Sequence, residues 1–317
     1  MKIAIIGCGR WGSFHAWYSD SIGHEVMLYG RESSKNFQRL KLNRQNDFLT
    51  LPAKIKFTTD LNEAINFGEV IIISIDSQNL REFARELSSL KNIEKKKFVL
   101  CMKGLENKSG KRLSEIFLEE TKLISAVWVG PGHVQEFLRG IPNCMIISSA
   151  DENLTREVVE IFKSSLIRFY YGKDLIGTEI GAAAKNVIGL AAGMLDGLNY
   201  SSLKGALMAR GTAELSRLIE SLGGDKMTIY GLSHLGDYEA TLFSPHSHNR
   251  KFGEDFVLHK NFEKLAEGVE TVKALMKLSH EVNVELPICS TVNEIIHEGK
   301  NPKEQLIKLF LRSTKAE

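Results

Sequence analysis

The fold is decided at the start of the chain, where residues 2–12 read KIAIIGCGRWG. Residues 2–6 form a nearly continuous apolar run, which is typical of a central parallel strand covered on both faces. Gly7, Gly9 and Gly12 follow in the pattern GxGxxG and open a stretch of helical length. In this setting the three glycines permit a tight turn, the approach of a diphosphate to the backbone, and close packing of helix on strand. The stretch therefore predicts a dinucleotide-binding site.

More apolar runs of strand length follow, separated by stretches of helical length such as 12–22, 78–91 and 111–120. Strand alternating with helix predicts an open parallel sheet with helices on both faces. After about residue 174 helical periodicity continues to the end of the chain. We therefore predict an α/β protein with a doubly wound Rossmann-type sheet in residues 1–173 and an all-helical domain in residues 174–317. The further strand runs are 25–29, 70–75, 97–102, 126–129 and 144–148.

The composition limits the kinds of partner. A length of 317 residues suits two domains, and 43% hydrophobic with 25% charged residues is typical of a globular protein. A net charge of +2 leaves no excess positive field, so we expect no nucleic-acid partner. Four cysteines at 8, 101, 144 and 289 lack metal-ligand spacing and lie in apolar runs, which predicts reduced thiols and no metal site. The expected location is the cytoplasm.

The segment 174–198 is apolar enough to resemble a membrane span. Glu179, Lys185, Asn186 and Asp196 argue against one, because ionisable groups at bilayer depth are costly. A buried helix in which small residues allow close backbone approach fits better. The apolar run at the N-terminus is also too short for a secretion signal.

Arg31 lies two residues after the second predicted strand, where a site for NAD usually carries an acidic residue. An arginine here can pair with the 2′-phosphate of NADP, although it can also be a solvent-facing side chain beside Glu32. We expect NADP as the preferred cofactor and NAD as the alternative.

Lys185 lies with Asn186 in the middle of the apolar helix. Lysine is rarely buried without a partner, because desolvation disfavours its charged form. A lysine whose pKa moves toward neutrality can give a proton to an oxygen that forms on a carbonyl carbon. A lysine at a helix edge with its amine in water is the alternative that local sequence leaves open.

Two further stretches carry polar groups suited to a ligand. Residues 230–253 place Asp237 and the run from His246 to Arg250 in a turn-rich segment, which offers the donors that a phosphate ester needs, although a polar surface loop is the alternative. Lys103 follows a predicted strand at the carboxyl edge of the sheet, where open α/β folds bind ligands.

Taken in order, these motifs resemble the bacterial-type NAD(P)-dependent glycerol-3-phosphate dehydrogenase family over nearly the whole chain. The matching pieces are GxGxWG at 7–12, KGLE at 103–106, GP at 130–131 with Glu136, Glu179 to Asn186, DG at 196–197, RG at 210–211, GD at 236–237, SxNR at 247–250, AEG at 266–268, ELPI at 285–288 and GKN at 299–301.

The resemblance implies reversible reduction of dihydroxyacetone phosphate to sn-glycerol 3-phosphate for phospholipid synthesis, at the cleft between the two domains, by a homodimer. It implies Lys185 as proton donor and acceptor, with Asp237 and Lys103 as its catalytic partners. The implied substrate-binding residues are Lys103, Gly130, Gly132, Lys185, Asn186, Asp237, Ser247, His248 and Asn249. The implied cofactor-binding residues are Gly7, Gly9, Arg10, Trp11, Gly12, Arg31, Lys103, Val134, His248, Leu265 and Glu267.

Three places depart from the family pattern, and one of them is Leu242-Phe243, which replaces a usual small polar pair. Gly132 stands where the family usually has serine, and His248 stands where it usually has arginine, so a hydroxyl and a guanidinium expected near the substrate are missing. These departures keep two alternatives open. One is a related reductase of another small keto or hydroxy acid, such as a ketopantoate-type enzyme. The other is a cofactor-binding regulator with weakened catalysis.

Overall fold

The computed structural model of the chain describes residues 1–313. The chain divides into two compact units. The first unit comprises residues 1–102 and 113–175, and the second comprises residues 103–112 and the chain from residue 176 onward. The segment 103–112, which carries Lys103, thus belongs with the C-terminal helices. The domain boundary between residues 173 and 174 stays a prediction.

The first unit contains a sheet of eight strands with helices between them. Its strands are β1 (Lys2–Ile6), β2 (Glu25–Tyr29), β3 (Lys56–Thr58), β4 (Val70–Ile73), β5 (Lys97–Leu100), β6 (Ser125–Val129), β7 (Asn143–Ser149) and β8 (Ile167–Gly172). Its helices are α1 (Arg10–Ser21), α2 (Lys35–Asn43), α3 (Leu61–Phe67), α4 (Leu80–Ser88), α5 (Leu113–Thr121), α6 (Val134–Leu138) and α7 (Glu152–Phe162). Side-chain caps on Ser34, Asp60 and Asp151 begin α2, α3 and α7.

The strand order is β3-β2-β1-β4-β5-β6-β7-β8. All neighbouring strands are parallel except β6 and β7, which pair antiparallel. In the centre, Ile5 of β1 pairs with Leu28 on one side and Ile72 on the other. These side chains are buried, as expected for a strand covered on both faces. The predicted doubly wound sheet is confirmed.

Two strands, β3 and β8, were not anticipated from the sequence. Both lie at the edges of the sheet. β3 has only three residues, and β8 alternates buried Ile167 and Phe169 with exposed Arg168 and Tyr170. A strand with one solvated face lacks the continuous apolar run that identifies central strands.

The second unit is mainly helical. Its helices are α8 (Leu175–Gly197), whose first residue lies in the first unit, α9 (Lys204–Ser221), α10 (His248–Val257), α11 (Gly268–Glu281), α12 (Pro287–His297) and α13 (Pro302–Phe310). Short 3₁₀ turns span 201–203, 226–230 and 235–237, and a π-helical turn spans 239–243. The core of this unit is formed by apolar side chains of α8, α9, α11 and α12.

Helix α8 is the centre of the second unit, and every residue from Gly177 to Leu195 is buried. Small residues let neighbouring backbone approach it closely. A Cβ atom on Gly193 would lie 1.8 Å from the carbonyl oxygen of Arg250, so α10 packs against α8 at a distance that only glycine allows. Among residues 1–313, no helix has the length and apolar character needed to cross a bilayer.

Candidate active site

The glycine-rich turn of the first unit joins β1 to α1. Gly7 adopts a φ of 109°, a conformation that favours glycine, and its N–H donates to the carbonyl of Tyr29 at 3.1 Å. A Cβ on Gly12 would lie 2.0 Å from the carbonyl oxygen of Gly7. The first and third glycines of the motif therefore make the tight turn and the close helix packing that the sequence predicts.

Gly9 gives this turn its capacity to hold an anion. It is the N-cap of α1, it makes no side-chain cap, and a Cβ built on it would meet no atom within 4 Å. The first turn of α1 carries no acidic residue. The N-terminus of a helix concentrates N–H groups and positive partial charge, so open space at this point fits the diphosphate of a dinucleotide.

Four other predicted cofactor residues lie on the first unit. Arg10 donates to Gln135 at 3.2 Å, which brings it next to the buried Val134 at the start of α6. Trp11 packs edge-on against Phe14 with ring centroids 5.4 Å apart. Arg31 lies two residues after the end of β2 and is exposed. Arg10, at the start of α1, thus links the glycine-rich turn to the first turn of α6.

Gly130 and Gly132 follow β6 in the first unit. Both have positive φ, 138° and 133°. A Cβ on Gly132 would lie 2.5 Å from the ring of Phe137. The local backbone and packing therefore require glycine. This explains why position 132 carries glycine where the family usually has serine.

In the second unit, the structure brings four predicted residues together around one carboxylate. Asp237 accepts from Lys185 at 3.0 Å and from Lys103 at 2.8 Å, both at Oδ2. Asn186 donates to the backbone carbonyl of Lys103 at 2.9 Å, which fixes the segment that carries this second lysine. We call these four residues the lysine cluster.

Lys185 is buried, so the possibility of an amine in water at a helix edge is excluded. Its Nζ also donates to the hydroxyl of Thr241 at 2.6 Å. Burial lowers the pKa of Lys185 to about 8, and the positive charge of Lys103 acts in the same direction. The carboxylates of Asp237 and Glu267 oppose this and keep the pKa from falling further. An amine with this pKa exchanges a proton readily near neutral pH.

Thr241 is a site residue to which the sequence analysis gave no role. It lies in the π-helical turn 239–243, four residues after Asp237, and is buried. The spacing of four from Asp237 is a signal in retrospect, but the π-helical geometry that brings the hydroxyl to Lys185 cannot be read from local sequence.

A second group of predicted residues lies between α10 and the start of α11. Ser247 is the N-cap of α10, and its hydroxyl accepts from the N–H of Arg250 at 3.3 Å. Asn249 accepts from the N–H of Gly268 at 2.9 Å, so its amide NH₂ group points elsewhere. His248 donates through Nδ1 to the carbonyl of Leu265 at 3.2 Å. A Cβ on Gly268 would lie 2.7 Å from the backbone oxygen of Asn186, so this group adjoins the lysine cluster.

A glycine-rich turn at the end of the first strand of a Rossmann-type sheet and a buried lysine held by a carboxylate define the class of NAD(P)-dependent oxidoreductases. Comparison with known proteins gives the particular family. Residues 2–155 match the NAD-dependent glycerol-3-phosphate dehydrogenase N-terminus, and residues 174–307 match the C-terminus of the same family. The chain belongs to the NAD-dependent glycerol-3-phosphate dehydrogenase family.

Individual relatives match this chain over its full length. The chain is 34% identical to glycerol-3-phosphate dehydrogenase [NAD(P)+] of Thermoanaerobacter sp. (strain X514), covering 100% of this chain and 99% of that protein. It is 36% identical to the protein of that name from Fusobacterium nucleatum, covering 100% and 98%. The crystal structure of glycerol-3-phosphate dehydrogenase from Coxiella burnetii superimposes with a TM-score of 0.91 at 26% identity, covering 98% of this chain and 99% of that one.

Proposed function

We propose that the chain reduces dihydroxyacetone phosphate to sn-glycerol 3-phosphate with NADPH or NADH, and catalyses the reverse reaction. The observation that carries this proposal is the lysine cluster: a buried amine with a pKa of about 8, held by Asp237 and Thr241, in a member of this family. When bound, the reduced nicotinamide supplies the hydride that reaches C2 of the substrate.

Lys185 is the proposed general acid of the reduction. Its ammonium group gives a proton to the C2 oxygen as negative charge develops there, and the neutral amine takes the proton back in the reverse direction. Asp237 and Thr241 hold the Nζ atom from two sides, so only a narrow range of directions remains for the proton that is transferred. Lys103 adds a second cation near the oxygen and stabilises the developing charge.

The substrate phosphate is proposed to lie at the group formed by Ser247, His248 and Asn249. The hydroxyl of Ser247 and the amide NH₂ group of Asn249 remain as donors after their bonds to backbone. The imidazole of His248, which lies between Ser247 and Asn249 in sequence, is proposed to contact the phosphate as well. Together with the lysines these groups favour a small anionic ester over a neutral ketone.

The first unit is proposed to hold the dinucleotide on the glycine-rich turn. Arg10, Trp11, Arg31 and Val134 would surround the diphosphate and the adenosine ribose, and Lys103, His248, Leu265 and Glu267 of the second unit would contact the cofactor as well. NADPH is the proposed preference because Arg31 can pair with a 2′-phosphate.

The proposed assembly is a homodimer in the cytoplasm. The four cysteines occur as thiols, in keeping with a reducing compartment. Light scattering of the purified chain at several concentrations measures the assembly directly, and a monomer at micromolar concentration would contradict this part of the proposal.

The function is tested by following oxidation of NADPH with dihydroxyacetone phosphate and, in parallel, with ketopantoate. Saturable turnover with the phosphate ester alone is expected. Lys185→Ala should lower kcat by about 10²–10⁴-fold, the usual contribution of a general acid, with the Kd for NADPH unchanged. Lys226→Ala, which removes a half-exposed lysine of the same unit, is the matched control and should keep full activity. Binding of NADPH without turnover would contradict the enzyme and favour a cofactor-binding regulator.

A further inference from the structure

A fully buried histidine and a fully buried tyrosine flank Asp237 in the sequence. His234 and Tyr238 are both 0% exposed, and the Nε2 atom of His234 lies 2.6 Å from the hydroxyl of Tyr238. The other ring nitrogen, Nδ1, lies 2.8 Å from the carbonyl oxygen of Gly181. A carbonyl can only accept, so Nδ1 carries a proton. Burial lowers the pKa of His234 to about 4, so the ring is neutral near pH 7 and Nε2 accepts from the tyrosine.

This pair connects three parts of the second unit. Gly181 lies on α8 one helical turn before Lys185, and a Cβ on Gly181 would lie 3.1 Å from the Cβ of His234. The ring of Tyr238 reaches α9, where the hydroxyl of Thr212 lies 3.5 Å from its own. The pair thus fastens the turn 235–237 against the helix that carries the lysine.

Asp237 lies between the two residues in sequence and depends on both. Its N–H donates to the carbonyl of His234 at 2.9 Å, and Tyr238 follows it directly. Because His234 and Tyr238 are held in place, the backbone of Asp237 has little freedom, and its carboxylate points at two lysines.

We infer that His234 and Tyr238 are positioning residues of this site, which hold the carboxylate of Asp237 against the ammonium group of Lys185. The inference rests on the proposed function for its link to catalysis. The pair touches neither of the two lysines by hydrogen bond, and it acts through Asp237.

The charges around the pair agree with this role. Burial lowers the pKa of His234 to about 4, and the positive charge of Lys185 acts in the same direction, while Asp237 opposes it. Burial also raises the pKa of Tyr238, with Glu214 and Cys289 contributing. Both groups stay neutral over the pH range in which Lys185 titrates. The groups that face Lys185 itself are Asp237, Lys103 and Glu267.

Three variants separate positioning from simple loss of packing. His234→Leu removes both hydrogen bonds of the ring, and Tyr238→Phe removes a single oxygen atom with little change of shape. His234→Gln is the matched conservative variant, because an amide can donate to Gly181 and accept from Tyr238. If the leucine variant fails to fold, the phenylalanine variant still provides the test.

The first measurement is the titration of Lys185 in the free protein by NMR with isotope-labelled lysine, the signal being assigned from Lys185→Met. A less firmly held Asp237 attracts the ammonium less, so the pKa of Lys185 should fall by at least about half a unit in His234→Leu and Tyr238→Phe and stay near the wild-type value in His234→Gln. An unchanged pKa in the folded phenylalanine variant, or a glutamine variant no better than leucine, would overturn the inference.

The second measurement is turnover. The alkaline limb of kcat/KM for reduction should move to lower pH by the same amount, with KM for the cofactor unchanged. A purely structural role would lower the amount of active protein without moving this limb, and would overturn the inference. A wild-type protein without turnover on dihydroxyacetone phosphate would refute the proposed function instead, and the NMR titration would still decide the role of the pair.

Discussion

Replacing Asp237 by asparagine tests the electrostatics of the lysine cluster most directly. The carboxylate lies 3.0 Å from Nζ of Lys185. At an effective dielectric constant of about 20, the attraction between unit charges at this distance is about 5.5 kcal/mol, or roughly four pKa units. The amide oxygen of asparagine still accepts a hydrogen bond and water can enter, so we expect a smaller fall, from a pKa of about 8 to about 7 or below.

The sign of the effect on catalysis follows from the role of the ammonium group. Reduction needs protonated Lys185, so the alkaline limb of kcat/KM for dihydroxyacetone phosphate should move to lower pH by at least about one unit. Oxidation of glycerol 3-phosphate needs the neutral amine, so its acidic limb should move the same way. Initial rates measured in both directions between about pH 5 and 10 give the two limbs. Limbs that stay at their wild-type positions while kcat falls would refute the assigned coupling between Asp237 and Lys185.

Two further predictions concern other parts of the chain. Arg31→Ala should lower kcat/KM for NADPH about tenfold or more while changing that for NADH little, because a charge-assisted hydrogen bond to a 2′-phosphate is lost; Arg31→Lys, which keeps the charge, is the control, and equal losses with both cofactors would contradict the NADP preference. Glu214 is buried, caps α12 through the N–H groups of Ile288 and Cys289, and has its pKa raised by burial from 4.5 to about 7. Because the folded form binds this proton more tightly than the unfolded form, the stabilisation is complete below about pH 4.5 and is lost as the pH rises through about 7, at a cost of up to about 3 kcal/mol. The difference in melting temperature between the wild type and Glu214→Gln should therefore change between about pH 5 and 8, and a constant difference would count against the raised pKa.

The sheet could be predicted from the sequence because its central strands are buried on both faces. Such strands appear as continuous apolar runs, and β1 and β4 were found in this way. The edge strands β3 and β8 escaped because short or half-exposed strands carry little hydrophobic signal. The hydrophobic pattern of the sequence thus identifies strands that are buried on both faces and misses strands that are short or half-exposed.

The site could be predicted only in part. Lys185 stood out because a charge in an apolar helix conflicts with its surroundings, and this conflict is visible locally. Its contact with Asp237 joins two residues that are far apart in sequence. That contact could be expected only from the resemblance to a family. The roles of Thr241 and of the His234–Tyr238 pair depend on a π-helical turn and on close packing against α8, which no sequence period encodes.

The turn after β6 limits how this protein can be redesigned. At position 132 the backbone has a positive φ and the ring of Phe137 occupies the space that a side chain would need. An engineer who wished to install a hydroxyl there could not exchange one residue alone. Phe137 would first have to be replaced by a smaller residue, and the backbone torsion at position 132 would have to change. A serine at this position therefore requires a second mutation.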